Sequence, residues 1–264
     1  MKIAVFTSNQ PRHLALLNAM AEVADEVIAV QECNTVFPGR VADFFRRSPV
    51  MQAYFQKVIE AERSVFGDIG FARNNVRQLP VRMGDLNMID PALLAPALDA
   101  DTIIVFGASW IKAPLIDRLT EKRAINIHMG ISPFYRGSSC NFWALYDDNP
   151  QFVGATIHML SRGLDSGQML FHALPKPEAV EPFRLGMLAV RAAHLALKDA
   201  LADGSLWKMP LVQQDKAVEI RYTRNADFTD AVAEEYLARG RDAAWVGSML
   251  AKAEKPELLA PRFL

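Results

Sequence analysis

The chain has 264 residues, 51% of them hydrophobic, so it can bury one large core with a small appendage. Its net charge is −1 and its isoelectric point is about 6.5, so it lacks the excess positive charge that binds a polyanion. Nucleic acid is therefore not an expected partner. No stretch approaches about 18 uninterrupted apolar residues, and the sequence starts directly on a strand pattern. We therefore expect no membrane span, no signal peptide and a cytoplasmic protein.

The first sixty residues have the pattern of a doubly wound α/β fold. Residues 3–7 predict a buried strand, 14–23 a helix and 27–30 a second buried strand. The loop after the first strand contains no G-x-G-x-x-G, which argues against a dinucleotide site. Its polar side chains Ser8, Asn9 and Arg12 could meet a phosphate at the following helix N-terminus. A polar turn in which Pro11 only starts the helix is an equal alternative.

The next hundred residues continue this alternation. Residues 41–59 predict two packed helices broken near Pro49, and residues 71–91 predict loops with a short strand. Residues 102–106 predict another buried strand, followed by a loop from Gly107 and a helix over 114–121. We interpret Trp110, in that loop, as a core residue.

The stretch from Asn126 to Leu170 carries most of the functional information. It begins with a strand that holds Asn126 and His128, whose side chains point to one face because strand side chains alternate. A Gly/Pro loop, a helix over 138–147 and a strand over 152–159 follow, and then a polar loop with Asp165 and Gly167.

Asparagine, histidine and aspartate in this arrangement suit transfer of an acyl group to an amine. Attack of an amine on a carbonyl builds negative charge on oxygen and positive charge on nitrogen, so a donor and a proton acceptor are needed. Asn126 could donate through its amide, His128 could donate or accept, and Asp165 would orient the ring and hold its charge. The alternative is that these residues are structural: the histidine lies at the end of a strand and its ring nitrogens form ordinary hydrogen bonds within the protein.

The cysteines and the other histidines do not indicate a metal site. Cys33 and Cys140 lie far apart without a C-x-x-C, which fits a reducing compartment, and Cys140 is interpreted as a small buried apolar residue. No H-x-x-x-H or H-E-x-x-H motif is present among the remaining histidines. We predict no metal.

The last eighty residues predict a covering helix and a small extension. The helix runs over 183–202 and is closed by Asp203 and Gly204. Beyond it we predict one strand over 218–222 and one helix over 230–238. We therefore divide the chain into a domain over 1–180 and a covering helix with a C-terminal extension over 181–264. The predicted fold class is α/β: a doubly wound, mostly parallel sheet with helices on both faces and a small α+β C-terminal extension.

The motifs INIHMGISPFYRG and VGATIHMLSRGLDSGQML, with a helix containing Trp143 between them, resemble the folate-dependent formyltransferases. The resemblance covers residues 1–175 and is strongest over 124–170. It implies 10-formyltetrahydrofolate as co-substrate and Asn126, His128 and Asp165 as catalytic residues. One departure is that Gly130-Ile131-Ser132-Pro133 replaces the family's frequent Ser-Leu-Leu-Pro.

The resemblance also implies two sets of binding residues. Implied folate contacts are Leu86, Phe106, Gly107, Ile111, Gly130, Ile131, Ser132, Pro133, Arg136, Ser161 and Gly163. Implied contacts with the second substrate are Ser8, Asn9, Arg12 and Tyr135. A histidine at position 158 matches one frequent in the family and would support the site.

The acceptor is inferred by exclusion. The low net charge disfavours tRNA as the acceptor. The C-terminal tail is also too short and has too few strands to match the β-barrel extension of methionyl-tRNA formyltransferase. The first loop lacks the glycine-rich pattern expected for glycinamide ribonucleotide. We predict formyl transfer to a primary amine of a small substrate, a nucleotide-linked amino sugar, by an enzyme that could form a homodimer. The alternatives are a formyltetrahydrofolate hydrolase, a formyltransferase for another small amine and a non-enzymatic folate-binding protein. Hydrolases of the family usually carry an N-terminal regulatory domain, whereas this chain begins on the first strand of the catalytic unit.

Overall fold

The computed structural model describes residues 1–33, 35–36, 40–41, 44, 47–163, 165–254 and 256–264. Within these residues, eight strands form one twisted sheet in the order β12-β10-β9-β7-β6-β1-β2-β5. Neighbours from β5 through β2, β1 and β6 to β7 are parallel, whereas β9 is antiparallel to both β7 and β10. The strands of this sheet are β1 (Lys2–Ser8), β2 (Glu26–Cys33), β5 (Val76–Arg82), β6 (Thr102–Phe106), β7 (Ile125–His128), β9 (Ala155–Met159), β10 (Met169–Leu174) and β12 (Arg262–Phe263).

Two small strand pairs lie outside the main sheet. They are the antiparallel pair of β3 (Thr35–Val36) and β4 (Arg40–Val41), and the parallel pair of β8 (Tyr135–Gly137) and β11 (Arg221–Thr223). The second pair fastens the C-terminal extension to the loop that follows β7.

Several helices begin at a proline or at a polar side chain that caps the first turn. Ser48 accepts a hydrogen bond from Met51 N at the start of α2, and Asp242 accepts one from Trp245 N at the start of α8. Proline occupies the first position of α1, α2 and α6, where its missing N–H costs nothing. The helices are α1 (Pro11–Ala21), α2 (Pro49–Phe66), α3 (Ala95–Leu98), α4 (Leu115–Glu121), α5 (Cys140–Tyr146), α6 (Pro182–Ala202), α7 (Asp230–Ala238) and α8 (Ala243–Lys252).

Helices cover both faces of the sheet, which confirms the predicted fold class. Helices α1, α2 and α6 pack on one face over a core that includes Ile104, Ile125 and Leu197. A second core, with Phe6 and Leu119, lies on the opposite face beside α3 and α4. The third gathers aromatic side chains beneath α5, α7 and α8.

Several predicted elements need correction. The segment over 71–91 contains a full seven-residue edge strand, β5, paired with β2. The strand expected over 218–222 is shorter and later, because residues 216–218 form a 3-10 turn. Helix α8 and strand β12 were not predicted. Of the two helices predicted over 41–59, α2 is present, and residues 42–43 and 45–46 lie outside the described part.

The long covering helix was predicted almost residue for residue. Helix α6 buries thirteen side chains and ends before Gly204, whose φ of +67° is the left-handed conformation that favours glycine. In the described part of the chain, no helix is long and apolar enough to cross a membrane.

Candidate active site

A cavity of about 430 Å³ lies over a row of side chains that crosses three neighbouring strands. Strand register pairs Val105 of β6 with Asn126 of β7, and Asn126 with His158 of β9. Side chains at directly paired positions share a face of the sheet, so these three form the floor of one pocket. The remaining walls come from Met83, Ala108, Ser109, Trp110, Ile111, Ile116, Ser138, Leu160, Ser161, Arg162, Gly163, Asp165 and Asn225.

Asn126 is held in a defined orientation by its cross-strand partner. The ring Nδ1 of His158 lies 2.9 Å from the carbonyl oxygen of Met159, so that nitrogen carries the proton. The ring Nε2 then accepts a hydrogen bond from Asn126 Nδ2 at 3.1 Å. The second amide hydrogen of Asn126 points to Asp165 Oδ1 at 3.2 Å. The amide therefore presents both donors toward the pocket floor.

Asp165 is the point on which the nitrogen groups converge. Its Oδ1 lies 3.2 Å from Asn126 Nδ2, 3.4 Å from His128 Nδ1 and 3.8 Å from His158 Nε2. Burial would raise the pKa of this carboxyl, but the charge and hydrogen bond of His128 outweigh burial and hold the pKa well below its ordinary value. Asp165 is therefore a carboxylate at neutral pH.

His128 lies behind this cluster and is only 7% exposed. Its Nδ1 faces Asp165 and its Nε2 lies 3.4 Å from the Cys140 sulfur. Burial lowers the pKa of His128, but the Asp165 carboxylate, with Cys140, more than compensates, so the pKa lies well above its ordinary value. The pair is therefore an imidazolium beside a carboxylate.

A buried threonine fixes the loop that follows His128. Thr156, the cross-strand partner of His128, donates to Gly130 O at 2.6 Å and accepts from Ser132 N at 2.8 Å. The ring Nε2 of His172 donates to Ser132 O at 2.8 Å. A side chain at Gly130 would lie 2.4 Å from Cys140 Cβ, so glycine is required there by close packing.

A buried carboxylate joins two loops at the mouth of the pocket. Glu32, at the end of β2, accepts hydrogen bonds from Gly84 N at 2.9 Å and from Ser109 N and Oγ at 2.6 and 2.8 Å. Ser109 lines the cavity, and Gly84 is next to Met83, which also lines it. One side chain thus sets the position of both walls.

Residues 87–179 match the sequence profile of a family described as formyl transferase. The match covers about a third of the chain, and it includes Asn126, His128 and Asp165. The methionyl-tRNA formyltransferase of Synechococcus sp. (strain JA-3-3Ab) is 31% identical over 131 residues, which are 46% of this chain and 39% of that protein. The chain spans about half or less of the length of the curated relatives it matches.

Two solved formyltransferases have the same fold. A 4-N formyltransferase from Francisella tularensis superposes with a TM-score of 0.53 at 17% identity, covering 86% of this chain and 77% of that one. The formyltransferase PseJ from Anoxybacillus kamchatkensis, in complex with UDP-4,6-dideoxy-4-formamido-L-AltNAc and tetrahydrofolate, superposes with a TM-score of 0.50 at 17% identity over 94% of this chain and 100% of that chain. At these identities the likeness shows the shared fold.

The folate contacts implied by the family separate into two groups in the structure. Ile111, Ser161 and Gly163 line the cavity. The others lie outside its walls: Leu86, Phe106, Gly107, Gly130, Ile131, Ser132, Pro133 and Arg136. Among these, Leu86, Ile131 and Ser132 are fully buried, and Gly107 packs against His13, which a side chain would approach to 2.4 Å. These residues shape the loops around the cavity.

Arg136 and Tyr135 make their polar contacts within the protein. The guanidinium of Arg136 is buried and forms an ion pair with Glu219 at 2.8 Å. Tyr135 is 1% exposed, and its hydroxyl accepts from Asn149 Nδ2 at 2.9 Å. Both side chains therefore fasten β8 to its surroundings, away from the cavity.

The first loop is also largely engaged within the protein. Ser8 is buried and donates through its hydroxyl to Glu32 O at 2.9 Å, and Asn9 is half-buried. Arg12 forms an ion pair with Glu62 at 2.8 Å. Arg12 nevertheless lines a second cavity of about 340 Å³, together with Met129 and several aromatic residues.

Other residues at the cavity were missed or misinterpreted from the sequence. Trp110 is 67% exposed and forms part of the cavity wall, so its interpretation as a core residue was wrong. Asn225 reaches the cavity from the C-terminal extension, more than fifty residues from the nearest motif, and no local pattern marked it. Among the described residues, no group of three or more His, Cys, Asp and Glu side chains is placed to hold a metal ion.

Proposed function

We propose that this protein transfers the formyl group of 10-formyltetrahydrofolate to a primary amine of a small substrate, a nucleotide-linked amino sugar. The observation that carries the proposal is the convergence of Asn126, His158 and Asp165 on the floor of one cavity, with the imidazolium of His128 behind the carboxylate. The family match at residues 87–179 supports the formyl donor.

In the proposed reaction the amine nitrogen attacks the formyl carbon and forms a new C–N bond. The carbonyl π electrons move to oxygen, and the amine proton passes to the Asp165 carboxylate. The bond from the formyl carbon to N10 of the folate then breaks as the oxyanion collapses, and N10 takes up the proton that Asp165 had accepted, which regenerates the carboxylate. Tetrahydrofolate and a formamide are the products, and no redox change occurs.

Asn126 supplies the hydrogen bond that the oxyanion needs. One of its amide hydrogens is directed at Asp165 before reaction. Once Asp165 accepts the amine proton its oxygen becomes a poorer acceptor, because it loses its charge. The Asn126 N–H is then available to the oxyanion, while His158 holds the rest of the amide in place.

His128 acts through charge in this proposal. It is not among the cavity walls, and its two ring nitrogens face Asp165 and Cys140. Its positive charge would stabilise the negative charge that develops on the formyl oxygen. It would also keep Asp165 ionised until the amine arrives.

The folate would occupy the cavity between the loops that Glu32 joins. A flat heteroaromatic ring requires apolar walls with a few backbone donors and acceptors. Val105, Ile111 and Leu160 provide apolar surface, and the backbone around Ser109 is fixed by its bonds to Glu32.

The cavity beside Arg12 suits a nucleotide-linked acceptor. Tyr54, Phe142 and Phe228 lie in its walls, and Met129, directly after His128, lines the side toward the catalytic loop. Aromatic rings stack on planar bases, and the positive charge of Arg12 favours a diphosphate. Ser8 and Asn9 precede the same helix and complete the proposed acceptor side, with Tyr135 acting indirectly by holding β8.

The two parts of the chain have different roles in the proposed function. We propose that residues 1–180 carry the catalytic unit and that residues 181–264 cover the sheet and contribute Asn225 to the cavity. Two small molecules are the proposed partners, and a homodimer is compatible with the proposal. No metal takes part in the proposed reaction.

The test is an assay of the purified protein with 10-formyltetrahydrofolate and a panel of acceptors. The panel contains nucleotide-linked amino sugars, glycinamide ribonucleotide, other small amines and initiator methionyl-tRNA, the last because the curated relatives are methionyl-tRNA formyltransferases. Gain of one formyl group by an amino sugar, read by mass spectrometry, is the expected result.

The other outcomes each contradict a specific part of the proposal. Release of formate without an added amine would indicate a hydrolase. Formylation of methionyl-tRNA with no reaction of any sugar would overturn the acceptor assignment. Tight binding of folate without turnover would indicate a non-enzymatic binding protein.

A further inference from the structure

The segment that follows the covering helix packs directly against the loop that carries Asp165. Met169 and Val212 exchange both backbone hydrogen bonds, at 2.8 and 3.0 Å. Two residues later the side chain of Gln214 reaches across, and its Nε2 donates to Asp165 O at 2.8 Å and to Gly167 O at 2.9 Å. Gln214 thus bonds the carbonyl groups of the catalytic aspartate and of a residue two positions later.

The two carbonyl oxygens fix the orientation of the Gln214 amide. Only the NH₂ end of an amide can donate, so the nitrogen must face the loop. Its two hydrogens match the two acceptors one for one. The amide oxygen points away and is buried without a hydrogen-bond partner among the described residues. The amide therefore makes these two bonds at the expense of leaving its own acceptor unused.

The loop needs an external restraint because its backbone is strained. Asp165 has a φ of +45°, in the left-handed region that side chains other than glycine rarely adopt. At Gly167 a Cβ would lie 1.7 Å from Met159 O, so the chain passes very close to β9. Conformations of this kind persist when the surrounding structure fixes them from several sides.

We propose that Gln214 is a positioning residue that holds the Asp165 carboxylate against Asn126 and His128. The proposal rests on the proposed function of Asp165 in formyl transfer. Gln214 lies outside the residues 87–179 that match the family profile, and it does not line the cavity. Its effect on the reaction therefore passes through the position of Asp165.

The contacts of Asp165 are sensitive to small movements. Its Oδ1 lies 3.2 Å from Asn126 Nδ2 and 3.4 Å from His128 Nδ1, near the upper limit for hydrogen bonds. A shift of about 1 Å would break both contacts, and misplacement on this scale can cost about a hundredfold in rate. The groups that face His128 are Asp165, Cys140 and the ring of His158, so loss of the carboxylate contact would lower the pKa of His128.

The test compares Gln214→Met with Gln213→Met. Methionine has nearly the length of glutamine and lacks its donors, and Gln213 is an exposed neighbour with the same side chain. We expect Gln214→Met to lower kcat about tenfold or more while the KM for folate changes about twofold or less. Gln213→Met should leave both unchanged.

The second readout does not require turnover. In an NMR titration of labelled histidines, the His128 signal is assigned by its absence in His128→Asn. Gln214→Met should move the His128 titration to lower pH, in the same direction as Asp165→Asn, while the buried His172 serves as the reference and should not change.

Two results would overturn the proposal. One is a His128 titration in Gln214→Met that is identical to wild type. The other is an equal shift of His128 and His172, which would indicate that the whole fold, and not the Asp165 loop, has loosened. If Gln214→Met does not fold, Gln214→Leu replaces it, because leucine has no donor and no charge. A wild-type His128 titration in that variant would also refute the role. If the wild-type protein formylates no amine, the proposed function fails, and the titration still decides the role of Gln214.

Discussion

Acidification from pH 7 to pH 5 should destabilise this protein strongly, because the buried side chains of His13, His172 and His194 are neutral in the folded state. Burial lowers the pKa of His194 to about 3, and it lowers the pKa of His172 to about 4 against the opposing effect of its bond to Ser132 O. The ring Nδ1 of His172 also accepts a hydrogen bond from Leu259 N at 3.0 Å, which requires the neutral form. Burial, with smaller effects of Arg12 and His194, holds the pKa of His13 well below its ordinary value.

The magnitude follows from proton linkage. An unfolded histidine has a pKa of about 6.5, so the unfolded state takes up protons between pH 7 and pH 5 while the folded state does not. Stability therefore falls as the pH falls. Each such histidine contributes a loss of about 2 kcal/mol over this range. The folded pKa values of His172 and His194 both lie below 5, so the loss is set by the unfolded state.

The sum over His172 and His194 is about 4 kcal/mol, and the lowered pKa of His13 adds to this loss. His128 acts in the opposite direction, because its raised pKa makes its contribution complete below the unfolded value and lost only as the pH rises through the folded one. Between pH 7 and pH 5 this offsets a part of the loss. The loss from His172 and His194 alone is a large fraction of the whole stability of many domains.

The assay is urea unfolding at pH 7 and pH 5, followed by tryptophan fluorescence. His194→Leu is the informative variant, since the ring packs against Phe106 at 5.2 Å and its Nε2 has no partner among the described residues. The variant should reduce the difference between the two pH values by about 2 kcal/mol. An unchanged difference in His194→Leu would refute the reasoning, as would equal wild-type stability at the two pH values.

The remaining predictions concern the catalytic cluster and its support. Asn126→Ala and His128→Ala should each lower turnover about a hundredfold or more, because a lost oxyanion donor or stabilising charge costs about 2.7 to 4 kcal/mol in the transition state. Folate binding should change little. Initial rates measure turnover, and a folate titration measures binding. Asp165→Asn should lower the apparent histidine pKa in the pH–rate profile, because it removes the charge that stabilises protonated His128. Combined variants should lose much less than the product of the single losses, since residues acting on one transition state behave as a unit. Thr156→Val should destabilise the fold by about 2 to 5 kcal/mol in urea unfolding, because two buried backbone groups lose their partner, whereas Thr156→Ser should be much milder.

The controls for these predictions are folding and binding. Variants of Asn126, His128 or Asp165 that bind folate and turn over at the wild-type rate would remove the catalytic assignment. A Thr156→Val protein as stable as the serine variant would show that water replaces the hydroxyl. A histidine pKa that rises in Asp165→Asn would mean that the carboxylate does not face the imidazolium.

The sequence predicted which side chains share a face of a strand and the order of strands and helices, because both depend on neighbouring residues. The spacing of Asn126 and His128 placed both on one face of β7, and both contact Asp165. The long apolar face of α6, with Gly204 after it, marked the covering helix to within a residue. Weak elements of the extension, such as α8, were missed because their patterns are short and half-exposed.

Only the tertiary structure decided which residues meet at the cavity. Register between β7 and β9 pairs Asn126 with His158, and no spacing along the chain specifies register. The same holds for Gln214, whose bonds to the Asp165 loop span about fifty residues. The ion pair between Arg136 and Glu219 likewise joins residues that lie far apart in the sequence. Local patterns determine which elements form, whereas contacts between distant segments depend on how those elements pack, because side chains pair with whichever partner the fold brings within reach.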